Sequence, residues 1–414
     1  MTGKPNILEV DGRRLWDTLL RSGEIGPGRA GGLCRLPLTD SDKEMRDLFV
    51  RWCEEAGCGV TVDRLGNIFA RRAGEDESLP PVLIGSHLDT QVAGGRYDGI
   101  LGVLAGLEIL RSLNDRGIRT RRPIELVDWT NEEGARFQPP MMCSAAFAGL
   151  LDVDWILGVK DDEGAVFGEE LARIGYAGAA PVGGREIDAY FELHIEQGPE
   201  LEAEGLTLGI VEGGYATRGM HLDIHGECAH SGPTPMDKRR NALVGAAMLI
   251  CRANEIGWEH HPPGKSTAPR LTAWPNKAGI LPSYAQLTVD FRHPDKAVTE
   301  RMVAGFEAAI PDCATRANVE IEIAQSWSFG TEIFDQDCIA LVEQAAGDLG
   351  VAHKRMLSQA GHDAYNMTRI CPTALIFSPC KDGITHNEAE HIELDYTLPS
   401  VNVLLNAVVA RANR

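Results

Sequence analysis

Gly85-Ser86-His87-Leu88-Asp89-Thr90 closes a short apolar run, and Gly94-Gly95-Arg96-Tyr97-Asp98-Gly99 follows directly. An imidazole and two carboxylates delivered to the end of such a run are donors that a fold can converge on a metal ion. Further groups of the same kind stand in Asn131-Glu132-Glu133-Gly134, His194-Ile195-Glu196-Gln197-Gly198-Pro199 and Thr385-His386-Asn387-Glu388. Brought together, they would make a two-metal centre for hydrolysis, so an enzyme is the leading reading. His87 and Asp89 are two apart and share one face of an extended chain. The Asp89 carboxylate is therefore expected to accept from the free ring nitrogen of His87, fixing its tautomer and raising its basicity. Taken singly, Asp98 reads equally as a helix N-cap or a ligand. Glu132 and Glu133 read as a solvated acidic turn, or as a pair in which one ligates while the other stays free as a base. His194 and His386 are ambiguous in the same way. Five such groups, each after a buried run, favour the metal.

The elements that must position them can be traced from the pattern. Pro81 to Ile84, Ile124 to Trp129, Tyr190 to Leu193 and Ala374 to Phe377 are short apolar runs suited to strands buried on both faces. Ile100, Val103, Leu104, Leu107 and Leu110 recur at helical spacing after Asp98. Thr39 to Gly57 reads as a helix with caps at both ends, and Val60 to Val62 and Asn67 to Ala70 as two strands around Leu65-Gly66. All candidate ligands thus follow four strand ends, the place where open α/β sheets bind ligands. The middle of the chain alternates instead: Gly219 to His225 and Leu287 to Phe291 are half-exposed strands. With helices over Asn241 to Gly257 and Lys296 to Ile310, and strands over Arg270 to Trp274 and Val319 to Ile323, the order is β-α-β-β-α-β, a split βαβ sandwich. The fold class is α/β. A discontinuous catalytic domain, residues 1–212 and 331–414, has a mixed, mainly parallel sheet flanked by helices, and an α+β domain, residues 213–330, is inserted in it.

The 414 residues carry a net charge of −20 and are 43% hydrophobic. Two domains fit this length, and clustered cations for nucleic acid or an anionic membrane surface are not expected. Neither a secretory h-region nor a spanning apolar stretch is encoded. Ten cysteines without a CxxC pair fit reduced thiols in a cytoplasm.

The ordered strings GSHLDTQVAGGRYDGILGVLAGLE, NEEGARF, HIEQGP, CAHSGPTPMDKRRNA, VDFRHPD, AGHDA and GITHNEAEH resemble the amidase and carbamoylase branch of the M20 metallopeptidase family. That branch holds N-carbamoyl-L-amino-acid hydrolases, β-ureidopropionases and allantoate amidohydrolases, and Asp89-Thr90-Gln91 with Met141 to Gly149 is most similar to the β-ureidopropionases. The resemblance implies two divalent ions bridged by Asp98, with His87 and His194 completing one site and Glu133 and His386 the other. Imidazole and carboxylate ligands suit Zn, Mn, Co and Ni alike. It further implies Glu132 as the general base, aided by Asp89, and His230 as an oxyanion donor reaching a partner subunit, hence a homodimer through the inserted domain. Arg292 becomes a fork for a small-molecule carboxylate substrate, with Gln197, Gly361 and His362 as further substrate contacts.

One position departs from the pattern: Gly279 stands where relatives have Asn in an Asn-Val-Ile-Pro string, and Asn276 is the nearby amide that could compensate. Hydrolysis of an N-carbamoyl amino acid, with N-carbamoyl-β-alanine favoured, to amino acid, CO2 and ammonia is the first reading. Allantoate or an N-acyl amino acid as substrate is the second, and an inactive binding protein on the same scaffold the third.

Overall fold

The computed structural model describes residues 7–414. Its strands in chain order are β1 (Gly59–Val62), β2 (Ile68–Arg72), β3 (Val82–His87), β4 (Ile124–Trp129), β5 (Ala189–Ile195) and β6 (Leu208–Gly214). Next come β7 (Ala216–His225), β8 (Lys265–Trp274), β9 (Tyr284–His293) and β10 (Glu320–Phe329), and finally β11 (His353–Ser358) and β12 (Thr373–Ser378). The chain forms two compact units. The first takes the chain up to Glu212 with Ile333–Met356 and His362–Arg414, and the second takes Gly213–Glu332 with Leu357–Gly361.

The first unit is built on an eight-stranded mixed sheet of order β1-β2-β4-β3-β5-β12-β6-β11. Its centre, β4-β3-β5-β12, is parallel, and β3, β4, β5 and β12 are buried at every position. Strands buried at every position are covered on both faces. Helix Ile100–Asp115 sets Gly106 against Leu126, while Phe147 of helix Met142–Phe147 stacks edgewise on Trp129 with ring centroids 5.1 Å apart. Leu126 and Trp129 are three apart on β4 and so face opposite ways. Trp129 is fully buried, and truncating it would cost about 3–5 kcal/mol. Register places His87 beside Trp129 and His194 beside Phe377, so the four central strands end at one level.

The second unit is an antiparallel sheet of order β10-β7-β9-β8. β7 and β8 are thereby parallel with β9 between them, the split βαβ arrangement. Met220, Leu222, Ile224, Leu287, Val289 and Phe291 form its core with helices Ala242–Glu259 and Lys296–Glu307. Two expectations are corrected here. The helix expected from Lys296 to Ile310 ends at Glu307, and a second helix, Ile310–Ala317, begins with Pro311 in its first turn. Proline suits a first turn and not an interior. The strand expected to stop at Ile323 continues to Phe329, because β7 supplies ladder partners out to Thr217.

Candidate metal centre

His87 is the last residue of β3 and is buried. Its Nδ1 lies 2.9 Å from the backbone carbonyl oxygen of Asp89. A carbonyl can only accept, so Nδ1 carries the proton and Nε2 keeps a lone pair for a ligand. His194, within β5, is fixed in the same way by the Ile195 carbonyl at 2.9 Å. This corrects the expectation for Asp89: its carboxylate is 3.8 Å from His87 Nδ1, too far for a hydrogen bond. The chain turns after His87, so the main chain of Asp89 reaches the ring while its side chain points to the β4 loop. There it accepts from the N–H groups of Glu132 at 3.1 Å and Glu133 at 3.3 Å, which sets the attitude of both acids.

Asp98 follows the Gly94-Gly95 turn. The helix after it has Gly99 as its N-cap, with no side-chain capping bond, so the Asp98 carboxylate is free of that duty. Gly99 has a φ of 68°, and a Cβ there would overlap the His87 ring; only glycine fits both demands. Asp98 Oδ1 lies 3.2 Å from His194 Nε2, and Oδ2 lies 3.3 Å from His386 Nε2, which is also 3.3 Å from Glu133 Oε2. Ligand atoms of His87, Asp98 and His194 all fall within 4.8 Å of one another, as do those of Asp98, Glu133 and His386. Asp98 belongs to both groups.

Gln91 Nε2 donates to Glu133 Oε2 at 2.8 Å. Glu132 Oε2 stands 3.5 Å from His87 Nε2 and is left beside both groups, where a proton carrier is useful.

The electrostatics of the side chains point the same way. Burial first, and then Asp363, Glu133, Asp89 and Glu192, push the Glu132 carboxyl well above its ordinary range. Burial and the Asp98 charge raise Glu133 to about 7. Burial would raise Asp98 too, but the imidazoles of His386, His194 and His87 outweigh it and hold this carboxyl low. Burial lowers His87 to about 4, leaving it neutral. Among the described residues, Asp98, Glu132, Glu133, Glu192, Asp363 and Glu390 form no ion pair with Lys or Arg. Buried carboxylates so grouped require positive charge from elsewhere. Burial would lower His386 as well, but the hydrogen bond with Asp98 and the Glu133 charge outweigh it and raise this imidazole to about 9, so it holds a proton that a cation would displace. Imidazoles and carboxylates with one shared acid are the donor set of a divalent cation site, and the residues present fit such ions.

The remaining expected residues fall in different places. Gln197, at a φ of 58°, directs Nε2 to both Asp98 oxygens at 3.0 Å, while its buried Oε1 has no partner. His362 is buried against His194, with ring centroids 4.5 Å apart, and shares a third donor group with Glu192 and His194. His230, Asn276, Arg292 and Gly361 belong to the second unit. His230 is exposed and accepts from the Gly232 N–H at 3.1 Å, and Asn276 is an exposed residue of the connection between β8 and β9. Arg292 donates through Nε to Asp290 at 3.0 Å and through Nη1 to the Gln359 carbonyl at 2.7 Å.

Sequence reasoning missed Glu192, Asp363 and Glu390. Glu192 accepts from Ser86 at 2.8 Å, Tyr190 at 3.0 Å and the Ala364 N–H at 3.0 Å. Asp363 accepts from Ser144 and leaves Oδ2 unpartnered. An acid inside an apolar strand was the available signal for Glu192.

A parallel sheet whose strand ends converge imidazoles and acids around one shared aspartate defines a metal-dependent hydrolase. Residues 83–410 match the model of peptidase family M20/M25/M40, and the chain belongs to that family. It is 43% identical to an N-carbamoyl-L-amino-acid amidohydrolase of Rhizobium meliloti, covering 97% of each chain, and 28% identical to allantoate deiminase 1 of Glycine max, covering 88% of this chain and 82% of the other. A crystal structure of an amidase of the hydantoinase/carbamoylase family from Burkholderia vietnamiensis superposes with a TM-score of 0.96, at 48% identity over 98% of both chains. These relatives fall in the amidase and carbamoylase branch, and the protein is a metal-dependent amidohydrolase. Among the described residues no helix is long and apolar enough to cross a membrane.

Proposed function

We propose that this amidohydrolase holds two divalent cations bridged by Asp98 and cleaves the carbamoyl C–N bond of N-carbamoyl amino acids, with N-carbamoyl-β-alanine as the first substrate to test. The observation that carries the reading is the membership of Asp98 in both donor groups. His87 and His194 complete one site, and Glu133 and His386 the other. When bound, the cations would polarise the ureido carbonyl and lower the pKa of a water molecule. Glu132, buried beside both groups, takes the proton from that water and passes it to the leaving amine. Asp89 holds the backbone of Glu132 and Glu133 in place. The carbamoyl group leaves as CO2 and ammonia, with one water consumed.

Arg292 presents a planar fork suited to a carboxylate, and His230, supplied by a second copy of the chain, donates to the developing oxyanion. Gln197, Gly361, His362 and Asn276 are further substrate contacts in this reading. It includes Zn, Mn, Co or Ni as the cation, a homodimer through the second unit, and a cytoplasmic setting, supported by ten cysteines that are all free.

Gly279 keeps a second reading of the substrate beside the first, allantoate or an N-acyl amino acid. Its φ is 89° with open space around the Cβ position, so the amide that relatives place there is absent. Ammonia release by purified protein, across carbamoyl-β-alanine, carbamoyl-L-α-amino acids, allantoate and N-acetyl amino acids, decides between them. Turnover of carbamoyl substrates supports the reading. Turnover of allantoate alone replaces it, and acetate release without ammonia marks an acylase.

A further inference from the structure

The loop carrying His386 is held by carboxylates of its own. Glu390 is buried, and its Oε1 accepts from the backbone N–H groups of Tyr97 at 2.8 Å and Asp98 at 3.1 Å. Its Oε2 lies 3.1 Å from the Thr385 hydroxyl, which stands 2.7 Å from Asp98 Oδ2. Gly95 packs so closely on this carboxylate that a Cβ would overlap it. Glu388 accepts from the N–H groups of Arg29, Ala30 and Gly32. The same segment pairs back to the Asp98 loop: Leu33 donates to the Gly94 carbonyl at 2.9 Å, and Gly94 to the Leu33 carbonyl at 2.8 Å. Segments 29–33, 94–98 and 385–390 thus close a ring in which every joint is a carboxylate on backbone N–H groups or a two-way backbone pair.

Two members of that ring carry Asp98 and His386, and the joint between these two is Glu390. His386 needs such support. It has a φ of 49°, sparsely populated for a residue other than glycine, and its side chain is half exposed. No strand fixes it as β3 and β5 fix His87 and His194.

We propose that Glu390 is a positioning residue that sets the separation of Asp98 and His386 and thereby the affinity of the cation site they share with Glu133, while the site of His87 and His194 depends on the sheet. This rests on the two-cation reading above. Two N–H groups converge on one oxygen and a hydroxyl on the other, so an alanine would leave two buried donors without an acceptor. A glutamine keeps an oxygen for the N–H groups and an amide that the Thr385 oxygen can accept.

The test is cobalt(II) titration of the cation-free protein, read by visible d–d absorption and by metal counting after equilibrium dialysis. Wild type binds two ions. In E390A, affinity for one of them falls about 10- to 100-fold, as outer-shell changes at metal ligands do, with the other unchanged. E390Q recovers most of the loss. Gly95→Ala, which displaces the carboxylate without removing it, reproduces the E390A behaviour and decides the matter if E390A fails to fold by circular dichroism. Wild-type affinity and spectrum at both sites in E390A or Gly95→Ala overturn the proposal, as does equal weakening of both sites. A wild-type protein that binds fewer than two ions overturns the reading beneath it, which separates the two failures.

Discussion

Two groups of imidazole and carboxylate donors in this chain share residue types and differ in circumstance. His87, Asp98 and His194 end parallel strands or follow them, and none is more than 3% exposed. Asp223, His225 and Glu322 also bring three ligand atoms within 4.8 Å of one another, but on the helix-free face of the second unit, where the His225 and Glu322 side chains are 48% and 69% exposed. There Asp223 accepts from the Tyr284 hydroxyl at 2.7 Å and from Gln286 at 3.0 Å, and water screens what remains. Donor types at the right spacing therefore do not define a cation site. What separates the first group is burial beside several further acids with no Lys or Arg paired to them, a condition that costs free energy unless a cation relieves it.

Substitutions in the two groups are expected to have unequal effects. The largest expected effect is on turnover: Glu132→Gln keeps both cations and lowers kcat by about 10²- to 10⁴-fold, the usual contribution of a general base. Steady-state kinetics with metal counting checks this, and near-normal turnover would show the proton carrier to be another group. His386→Ala is expected to retain one cation per chain under dialysis that leaves wild type with two; an unchanged count would remove it from the ligands. Arg292→Lys keeps the charge but loses the fork, so KM should rise roughly 10- to 100-fold, the equivalent of a charged hydrogen bond, with kcat nearly unchanged. An unchanged KM would detach Arg292 from the substrate carboxylate. The smallest effect belongs to the exposed group: His225→Ala should leave both cation count and turnover as in wild type, and loss of a cation there would erase the distinction drawn between the two groups.

Much of the centre was legible before any coordinates, because buried strands are short apolar runs and their ends carry the chemistry. That rule singles out His87, Glu132, Glu133 and His194, which stand at or after the ends of β3, β4 and β5, and β4, β3, β5 and β12 are adjacent and parallel. Partnerships were less legible. The spacing of His87 and Asp89 fixes a shared face, yet a turn after the strand exchanged side chain for main chain as the partner of the ring. Glu192 sits within β5, where an acid breaks the apolar pattern, and it meets Ser86 and Ala364 across long stretches of sequence. The helix expected over Lys296 to Ile310 stops before Pro311, but that the proline opens a further helix, Ile310–Ala317, was not legible, because a proline suits a loop as well as a first turn.

In the proposed centre Asp98 is shared by two divalent cations. Metal counting on wild type and Asp98→Ala after identical dialysis tests it most directly. Two ions per chain are expected in wild type and nearly none in the variant. A wild type that holds a single ion, or an Asp98→Ala protein that still holds two, would contradict it.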